Sequence, residues 1–390
     1  MSGRPLSLIL LPALDCNAAC DYCFEKKSRV RLSLPDLSRL TRSILDHMEI
    51  MDAERAEVYW QGGEAMLLGP AWYEAAFELM EPAAAARGRS FAHYLQTNLV
   101  GFGPPWRDVI RTVFNGSIGT SMDYPNRHRR LPGGTPEQFT EIWLRAVGEA
   151  LSAGFEIGVI AVLNADSLRV PPGDFLQFFT GQAGITNIQV NLPFPGGPSH
   201  GGETLESAAL SRFLEGLLDA WMADGFDRGV RLGPFEALLD LCAGRPGRLP
   251  CIWNPNCANE FLCIDARGAV ALCDCWVTSY PRHHFGNLFE SPDLSAMLRV
   301  SPARRAFLDR PTYLLQEEGC GLCPHLSLCH GGCPVRTFTA KGTILARDPY
   351  CEVYQALFGK CRELAGEVVR RRLALSRPNQ ASPEPPSRNQ

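Results

Sequence analysis

Residues 6–23 read LSLILLPALDCNAACDYC, which is a short apolar run followed by three closely spaced cysteines. The apolar part, residues 6–11, predicts a buried strand. Cys16, Cys20 and Cys23 form a cysteine loop, residues 16–23, that can surround one compact metal centre. A structural zinc site needs four ligands and a four-iron cluster has four corners, so three thiolates leave one iron free for another molecule. Zinc with a distant fourth ligand is the alternative.

The apolar pattern beyond this loop alternates between strands and helices. Strands are predicted near residues 6–11, 57–60, 91–96, 117–121, 158–163 and 188–192. Helices are predicted near 35–48, 70–86, 137–152, 172–180 and 210–221. This alternation predicts an α/β fold with a parallel sheet and helices outside. Six such units are too few for a closed eight-stranded barrel, so we expect an open partial barrel.

The composition excludes several classes of protein. The 390 residues carry 38 basic and 42 acidic side chains, so no basic excess favours a nucleic acid or an anionic membrane as a partner. No apolar run near the start is long enough for a membrane span or a secretory signal, and we expect a cytoplasmic protein. Disulfides are rare there, so the 15 cysteines indicate metal ligands.

Further polar residues follow the predicted strands at the edge where the cysteine loop lies. Parallel sheets bind ligands at the carboxyl ends of their strands. Gly62 and Gly63 permit close approach of the backbone to a ligand, and Glu64 can accept hydrogen bonds from one. The ends of the third and fourth strands carry Thr97, Asn98 and Ser121.

A second cysteine region lies near the end of the chain, because 12 of the 15 cysteines fall between residues 242 and 361. Eight of them have a regular spacing: Cys251, Cys257, Cys273, Cys320, Cys323, Cys329, Cys333 and Cys351. Eight thiolates are the number that two fully ligated four-iron clusters need, and two structural zinc sites are the alternative. We expect metal, rather than a hydrophobic core, to hold this region together.

The first motif resembles the radical S-adenosylmethionine (SAM) superfamily, over about residues 6–225. The resemblance implies that Cys16, Cys20 and Cys23 hold a [4Fe-4S] cluster whose open iron is chelated by the amino and carboxylate groups of SAM. One electron then cleaves SAM, and the resulting 5′-deoxyadenosyl radical abstracts a hydrogen atom from the substrate. An external one-electron donor of the flavodoxin or ferredoxin type is implied as a partner.

The resemblance also assigns residues to SAM. Tyr22 stands where the family carries an aromatic residue near the adenine, although ordinary packing explains it equally well. Gly62, Gly63 and Glu64 match the family's Gly-Gly-Glu motif, whose carboxylate accepts from the SAM ammonium group. Thr97 and Asn98 match the next strand end, where Leu99 replaces the usual glycine. Ser121 is a predicted SAM contact, and Arg130 either pairs with the SAM carboxylate or lies in a solvated surface run.

The second region resembles the SPASM domain, which in the family binds two auxiliary [4Fe-4S] clusters. Position by position, the first cluster takes Cys251, Cys257, Cys273 and Cys333, here called the first cysteine set. The other cluster takes Cys320, Cys323, Cys329 and Cys351, here called the second cysteine set. The sets interleave along the chain, so both must fold as one unit. Cys242, Cys263, Cys275 and Cys361 are left over as buried thiols, and Cys275 is near enough to compete for a cluster.

The order of these elements most resembles the anaerobic sulfatase-maturating enzymes and related peptide-modifying maturases. Asp274 would then be the catalytic base, or else a turn residue. The expected function is oxidation of a peptide or protein side chain. The alternatives are a small-molecule dehydrogenase or deoxygenase of natural-product biosynthesis, and a zinc-stapled binding protein. The expected organisation is a barrel over 1–225, a connector over 226–250, a SPASM domain with a C-terminal helix over 251–375 and a disordered tail over 376–390.

Overall fold

The computed structural model describes residues 5–194 and 204–375, and the predicted disordered tail, 376–390, lies outside them. Six strand–helix units come first. Their strands are β1 (Leu6–Ala13), β2 (Arg55–Gly62), β3 (Ser90–Thr97), β4 (Ser117–Ser121), β5 (Glu156–Val162) and β6 (Asn187–Asn191). Their helices are α1 (Leu34–Ile50), α2 (Pro70–Ala85), α3 (Arg107–Thr112), α4 (Pro136–Ser152), α5 (Pro172–Gln177) and α6 (Ser207–Ala220).

Four strands and seven helices follow. The strands are β7 (Arg231–Gly233), β8 (Phe261–Asp265), β9 (Ala269–Ala271) and β10 (Gly286–Asn287). The helices are α7 (Phe235–Cys242), α8 (Asp274–Ser279), α9 (Leu294–Val300), α10 (Pro302–Gln316), α11 (Leu326–Cys329), α12 (Pro334–Lys341) and α13 (Cys351–Leu375). Among the described residues, no helix combines the length and apolar character that crossing a membrane requires.

The ten strands of the described residues lie in one sheet, in the order β10-β9-β8-β1-β2-β3-β4-β5-β6-β7. Strands β1 to β7 pair in parallel, as the alternation of strands and helices predicts. β1 is central and nearly all of its residues are buried, which explains its continuous apolar run. The carboxyl ends of β1 to β4 therefore meet at one edge, where the predicted SAM residues lie.

Local signals explain where the helices begin. Ser33 accepts a hydrogen bond from the Asp36 amide at the start of α1, and Thr135 with Gln138 forms a reciprocal capping box at the start of α4. The short helix α3 was not predicted, because six residues are too few to show helical periodicity.

The prediction that metal rather than a hydrophobic core holds the C-terminal region is wrong. β8 pairs in parallel with β1, with Leu262 opposite Leu8, so the region extends the barrel sheet. Trp276, Phe307 and Tyr354 are buried in the same hydrophobic core. These strands could not be predicted from the sequence, because β8, β9 and β10 have only five, three and two residues. Such short segments do not show an alternation of apolar and polar residues.

The predicted connector, 226–250, holds β7 and α7, and β7 pairs with β6. The long helix α13 returns across α6 and α7. Ion pairs join it to this side of the barrel, from Lys360 to Asp219 and from Arg371 to Asp227. The domain boundaries drawn from the sequence remain a prediction.

Candidate active site and metal centres

The cysteine loop follows directly after β1 and is fixed by backbone hydrogen bonds. The Ala19 amide donates to the Arg130 carbonyl at 2.8 Å, and the Asp21 amide donates to the His128 carbonyl at 3.1 Å. Its three cysteines are free thiols and partly buried. Burial raises the pKa of Cys16 to about 12 and that of Cys23 to about 11. A metal that binds here has to displace the thiol protons. The positive charge of an iron cluster would then stabilise the buried thiolates, so the three cysteines suit such a cluster.

Gly62 and Gly63 place the end of β2 against this loop. A Cβ atom at Gly63 would lie 2.1 Å from the carbonyl oxygen of Asp15, and one at Gly62 would lie 2.5 Å from that of Ala13. Gly62 also has φ +126°, a conformation that side chains disfavour. The close approach inferred from the sequence is therefore an approach to the protein's own backbone. Contact of these glycines with SAM remains a prediction.

Glu64 is buried, and its carboxylate joins β2 to the end of β3. It accepts from the Thr97 hydroxyl at 2.6 Å, the Asn98 amide at 2.8 Å and the Met66 amide at 2.9 Å. Burial raises the pKa of Glu64, and these hydrogen bonds oppose the rise. Three of the roughly four lone-pair positions of the carboxylate are thus used within the protein, so at most about one is left for a SAM ammonium group.

Asn98 extends the same network to the cysteine loop. Its side-chain amide donates to Asn17 Oδ1 at 2.7 Å and lies 3.9 Å from Cys16 Sγ. Leu99, which replaces the family's glycine, has φ +61° and is buried. The left-handed turn is therefore retained without a glycine, at a cost of about 1–2 kcal/mol in backbone strain.

Ser121 and Tyr22 are held by protein partners at the same edge. Gln96 Nε2 donates to Ser121 Oγ at 2.9 Å. The Tyr22 hydroxyl donates to Asp123 Oδ2 at 2.5 Å, and Asp123 also accepts from the Val162 amide at 3.0 Å.

A buried ion pair beside Tyr22 was missed in the sequence. Arg129 Nε donates to Asp123 Oδ2 at 3.0 Å, and its guanidinium lies 5.5 Å from the centre of the Tyr22 ring. The basic run after Asp123 is a sequence signal for such a pair, but the run alone does not distinguish Arg129 from Arg130. Arg130 forms an ion pair with Asp21, and both side chains are more than a third exposed. Its pairing with the SAM carboxylate remains a prediction.

The first cysteine set comes together in the structure from four separate segments. The charges of Cys251, Cys257, Cys273 and Cys333 interact with one another. Cys273 precedes α8 and Cys333 precedes α12, whereas the other two lie in short turns. Burial raises the pKa of Cys251 to about 12 and also raises the pKa values of Cys257 and Cys333, so a metal bound here would have to replace the thiol protons.

The second cysteine set lines one small cavity of about 30 Å³. All four cysteines, Cys320, Cys323, Cys329 and Cys351, face it, together with His325 and Asp348. Four convergent thiols around one space suit a fully ligated metal centre. The members of each set thus lie near one another, and their assignment as ligands of two clusters remains a prediction.

Two buried charged residues join the sets, and neither was identified from the sequence. Asp348 accepts from the Cys333 amide at 2.8 Å and also lines the cavity of the second set. Arg310 donates to the carbonyls of Gly331, Ile344 and Ala346. Its charge interacts with Cys257 and Cys333 of the first set and with Cys320 of the second. Both residues lie far in sequence from most of what they contact, so no local pattern marks them.

Asp274 lies where the barrel edge meets the first cysteine set. Gln61 Nε2, at the end of β2, donates to Asp274 Oδ2 at 2.9 Å, and the Cys275 amide donates to Oδ1 at 2.8 Å. Burial raises the pKa of Asp274, and these hydrogen bonds oppose the rise. Glu25, two residues after Cys23, is a near neighbour that the sequence analysis overlooked. Burial and the charge of Asp274 raise the pKa of Glu25 to about 8.

Comparisons with known proteins agree with this architecture. No model of a known protein family matches the chain. A serine-type anaerobic sulfatase-maturating enzyme of Bacteroides thetaiotaomicron is 26% identical over 371 residues, which cover 87% of this chain and 86% of that enzyme.

Two solved structures share the fold over most of the chain. Native anSMEcpe with bound AdoMet and Cp18Cys peptide has a TM-score of 0.78 at 22% identity, covering 94% of this chain and 99% of that one. Streptococcus suis SuiB bound to precursor peptide SuiA has a TM-score of 0.63 at 16% identity, covering 90% and 76%. The predicted partial barrel with a cysteine-rich C-terminal domain is confirmed, and so is the resemblance to the sulfatase-maturating enzymes.

Proposed function

We propose that the protein cleaves SAM reductively and uses the resulting radical to oxidise a side chain of a peptide or protein. One observation carries the proposal. The 2.9 Å hydrogen bond between Gln61 and Asp274 joins the strand end beside the cysteine loop to the residue next to Cys273. A substrate bound at this junction would have a radical source on one side and the first cysteine set on the other.

The bound clusters and SAM supply the one-electron chemistry and the hydrogen-abstracting radical. Cys16, Cys20 and Cys23 would hold the SAM-binding cluster, and the two cysteine sets would hold the auxiliary clusters. Asp274 would accept the proton that the substrate loses after hydrogen abstraction, and the remaining electron would pass to the first auxiliary site. A raised pKa suits Asp274 to this role, because a more basic carboxylate takes up a proton more readily.

The relatives support a peptide substrate over a small molecule. One is named as a serine-type sulfatase-maturating enzyme, and two solved structures contain bound peptides. By analogy, we infer that the substrate here is a serine or cysteine side chain of a peptide or protein.

The experiment uses anaerobically reconstituted enzyme, SAM, a one-electron reductant and three matched peptides. The peptides differ at a single position, which holds serine, cysteine or alanine. We expect the serine or the cysteine peptide to lose two hydrogen atoms by mass, with 5′-deoxyadenosine formed alongside. The alanine peptide should remain unchanged. Formation of 5′-deoxyadenosine with no modification in any of a broad panel of such peptides would favour the small-molecule alternative.

A further inference from the structure

A fifth thiol lies beside the first cysteine set. The Sγ atoms of Cys273 and Cys275 and a carboxylate oxygen of Asp274 all lie within 4.8 Å of one another. Cys275 is only 3% exposed and is not one of the eight regularly spaced cysteines. Three donor atoms this close together are a possible metal-binding group, and only Cys273 of the three has been assigned as a ligand.

The local backbone explains why both thiols are directed to the same place. Cys273 is extended, with φ −151° and ψ 177°, and α8 begins at the next residue. The amides of Trp276 and Val277 both donate to the Cys273 carbonyl at 3.1 Å, and the Cys275 amide donates to Asp274. The first turn of α8 is therefore fixed, with Cys275 just inside it.

Cys275 differs from the other unassigned cysteines in which residues lie near it. Its charge interacts with those of Cys273 and Cys333, which both belong to the first cysteine set. Cys263, on β8, has Asp274 and Cys273 as its strongest electrostatic neighbours. Cys361 interacts with Cys242, on the helices α13 and α7. Cys275 is thus the unassigned thiol with two members of the set beside it.

We infer that Cys275 is a reserve ligand of the first auxiliary cluster, able to bind iron in place of Cys273. The inference rests on the proposed function, because it presumes that this set holds an iron–sulfur cluster. When Cys273 is removed, the Cys275 thiol releases its proton to the solvent and its sulfur forms the Fe–S bond that Cys273 otherwise makes. No electron is transferred in this exchange.

The test measures iron and sulfide in full-length protein that carries Cys16→Ala, Cys20→Ala and Cys23→Ala, so that only the auxiliary sites bind clusters. This background should hold about eight irons per chain. Adding Cys273→Ala should leave about eight irons, with altered electron paramagnetic resonance of the reduced cluster. Adding both Cys273→Ala and Cys275→Ala should reduce the content to about four.

Two matched controls isolate Cys275. Cys275→Ala alone should keep about eight irons, and Cys273→Ala combined with Cys263→Ala should behave like Cys273→Ala. A content of about four irons with Cys273→Ala alone, or insoluble protein from that variant, would overturn the inference. Loss of iron only when Cys263 is also replaced would overturn it too. Failure of the proposed function would be seen separately, as fully loaded enzyme that forms no 5′-deoxyadenosine.

Discussion

Two donors from different parts of the site hold the carboxylate of Asp274. Gln61 lies near the end of β2, whereas the Cys275 amide belongs to α8, the helix that follows Cys273. The side chain is therefore fixed at the boundary between the two halves of the molecule. The sequence shows that Asp274 adjoins Cys273, a predicted ligand. Its contact with Gln61 could not be predicted from the sequence, because the two residues are 213 positions apart.

Asp274→Asn tests the proposed base. Asparagine keeps an oxygen for the Cys275 amide, and Gln61 can rotate its own amide to accept from the new NH₂ group, so the shape is retained without the basicity. We expect the yield of oxidised peptide to fall by about 10²- to 10⁴-fold. Iron content, SAM binding and 5′-deoxyadenosine formation should persist. Wild-type product yield at full iron content would reject the base role, and loss of iron together with activity would show that Asp274 only supports the Cys273 loop.

Gly63→Ala tests the close contact behind the Gly-Gly-Glu motif. The added Cβ would lie 2.1 Å from the carbonyl oxygen of Asp15, so either β2 or the cysteine loop must move. We expect the free energy of unfolding of the metal-free protein to fall by about 1–3 kcal/mol. Iron binding at the cysteine loop should weaken as well.

Gly148→Ala is the matched control, because Gly148 lies within α4 and its Cβ would meet nothing within 4 Å. This change should leave stability equal or raise it by about 0.5–1 kcal/mol. Both variants are compared by urea denaturation. Equal stability of Gly63→Ala and wild type would contradict the packing role.

At the scale of elements, the six strand–helix units were predictable because their apolar runs are long enough to show a period. The C-terminal elements were not, because β9 and β10 are only three and two residues long. The resemblance to the SPASM domain implied both cysteine sets without those elements. The sequence did not predict that Asp348 and Arg310 connect the two cysteine sets, because both residues act through buried contacts with distant segments.

Cys333→Ala tests that link. Cys333 belongs to the first cysteine set, but its amide donates to Asp348, which lines the cavity of the second. Alanine keeps this amide, but loss of the Cys333 ligand frees the segment that positions it, so we expect both auxiliary sites to be disturbed and about four of twelve irons to remain. Cys323→Ala is the control, because Cys323 is half-buried at the cavity of the second set alone. It should leave about eight irons. If Cys333→Ala also kept about eight, the two sets would be independent.

At the scale of the whole molecule, one sheet joins both halves. β8 pairs in parallel with β1, which is the strand that leads into the cysteine loop. The C-terminal region is therefore an extension of the barrel sheet, and this holds the first cysteine set at a fixed position relative to the cysteine loop. Composition and spacing predicted two cysteine-bearing regions, but they could not predict that a strand pair would connect them.

Total iron tests the complete assignment of cysteines. Three thiols in the loop and four in each set imply about twelve irons per chain after anaerobic reconstitution. We expect iron and acid-labile sulfide to approach that value in equal amounts. A plateau near four irons with zinc bound would show that the C-terminal cysteines form a zinc module.

The central claim is that the cysteine loop supports radical cleavage of SAM, and 5′-deoxyadenosine formation measures this most directly. Reconstituted wild-type protein, incubated anaerobically with SAM and a one-electron reductant, should form 5′-deoxyadenosine and methionine. The variant with Cys16→Ala, Cys20→Ala and Cys23→Ala should form none, while its two auxiliary sites still hold about eight irons. Formation of 5′-deoxyadenosine by that variant at the wild-type rate would contradict the account.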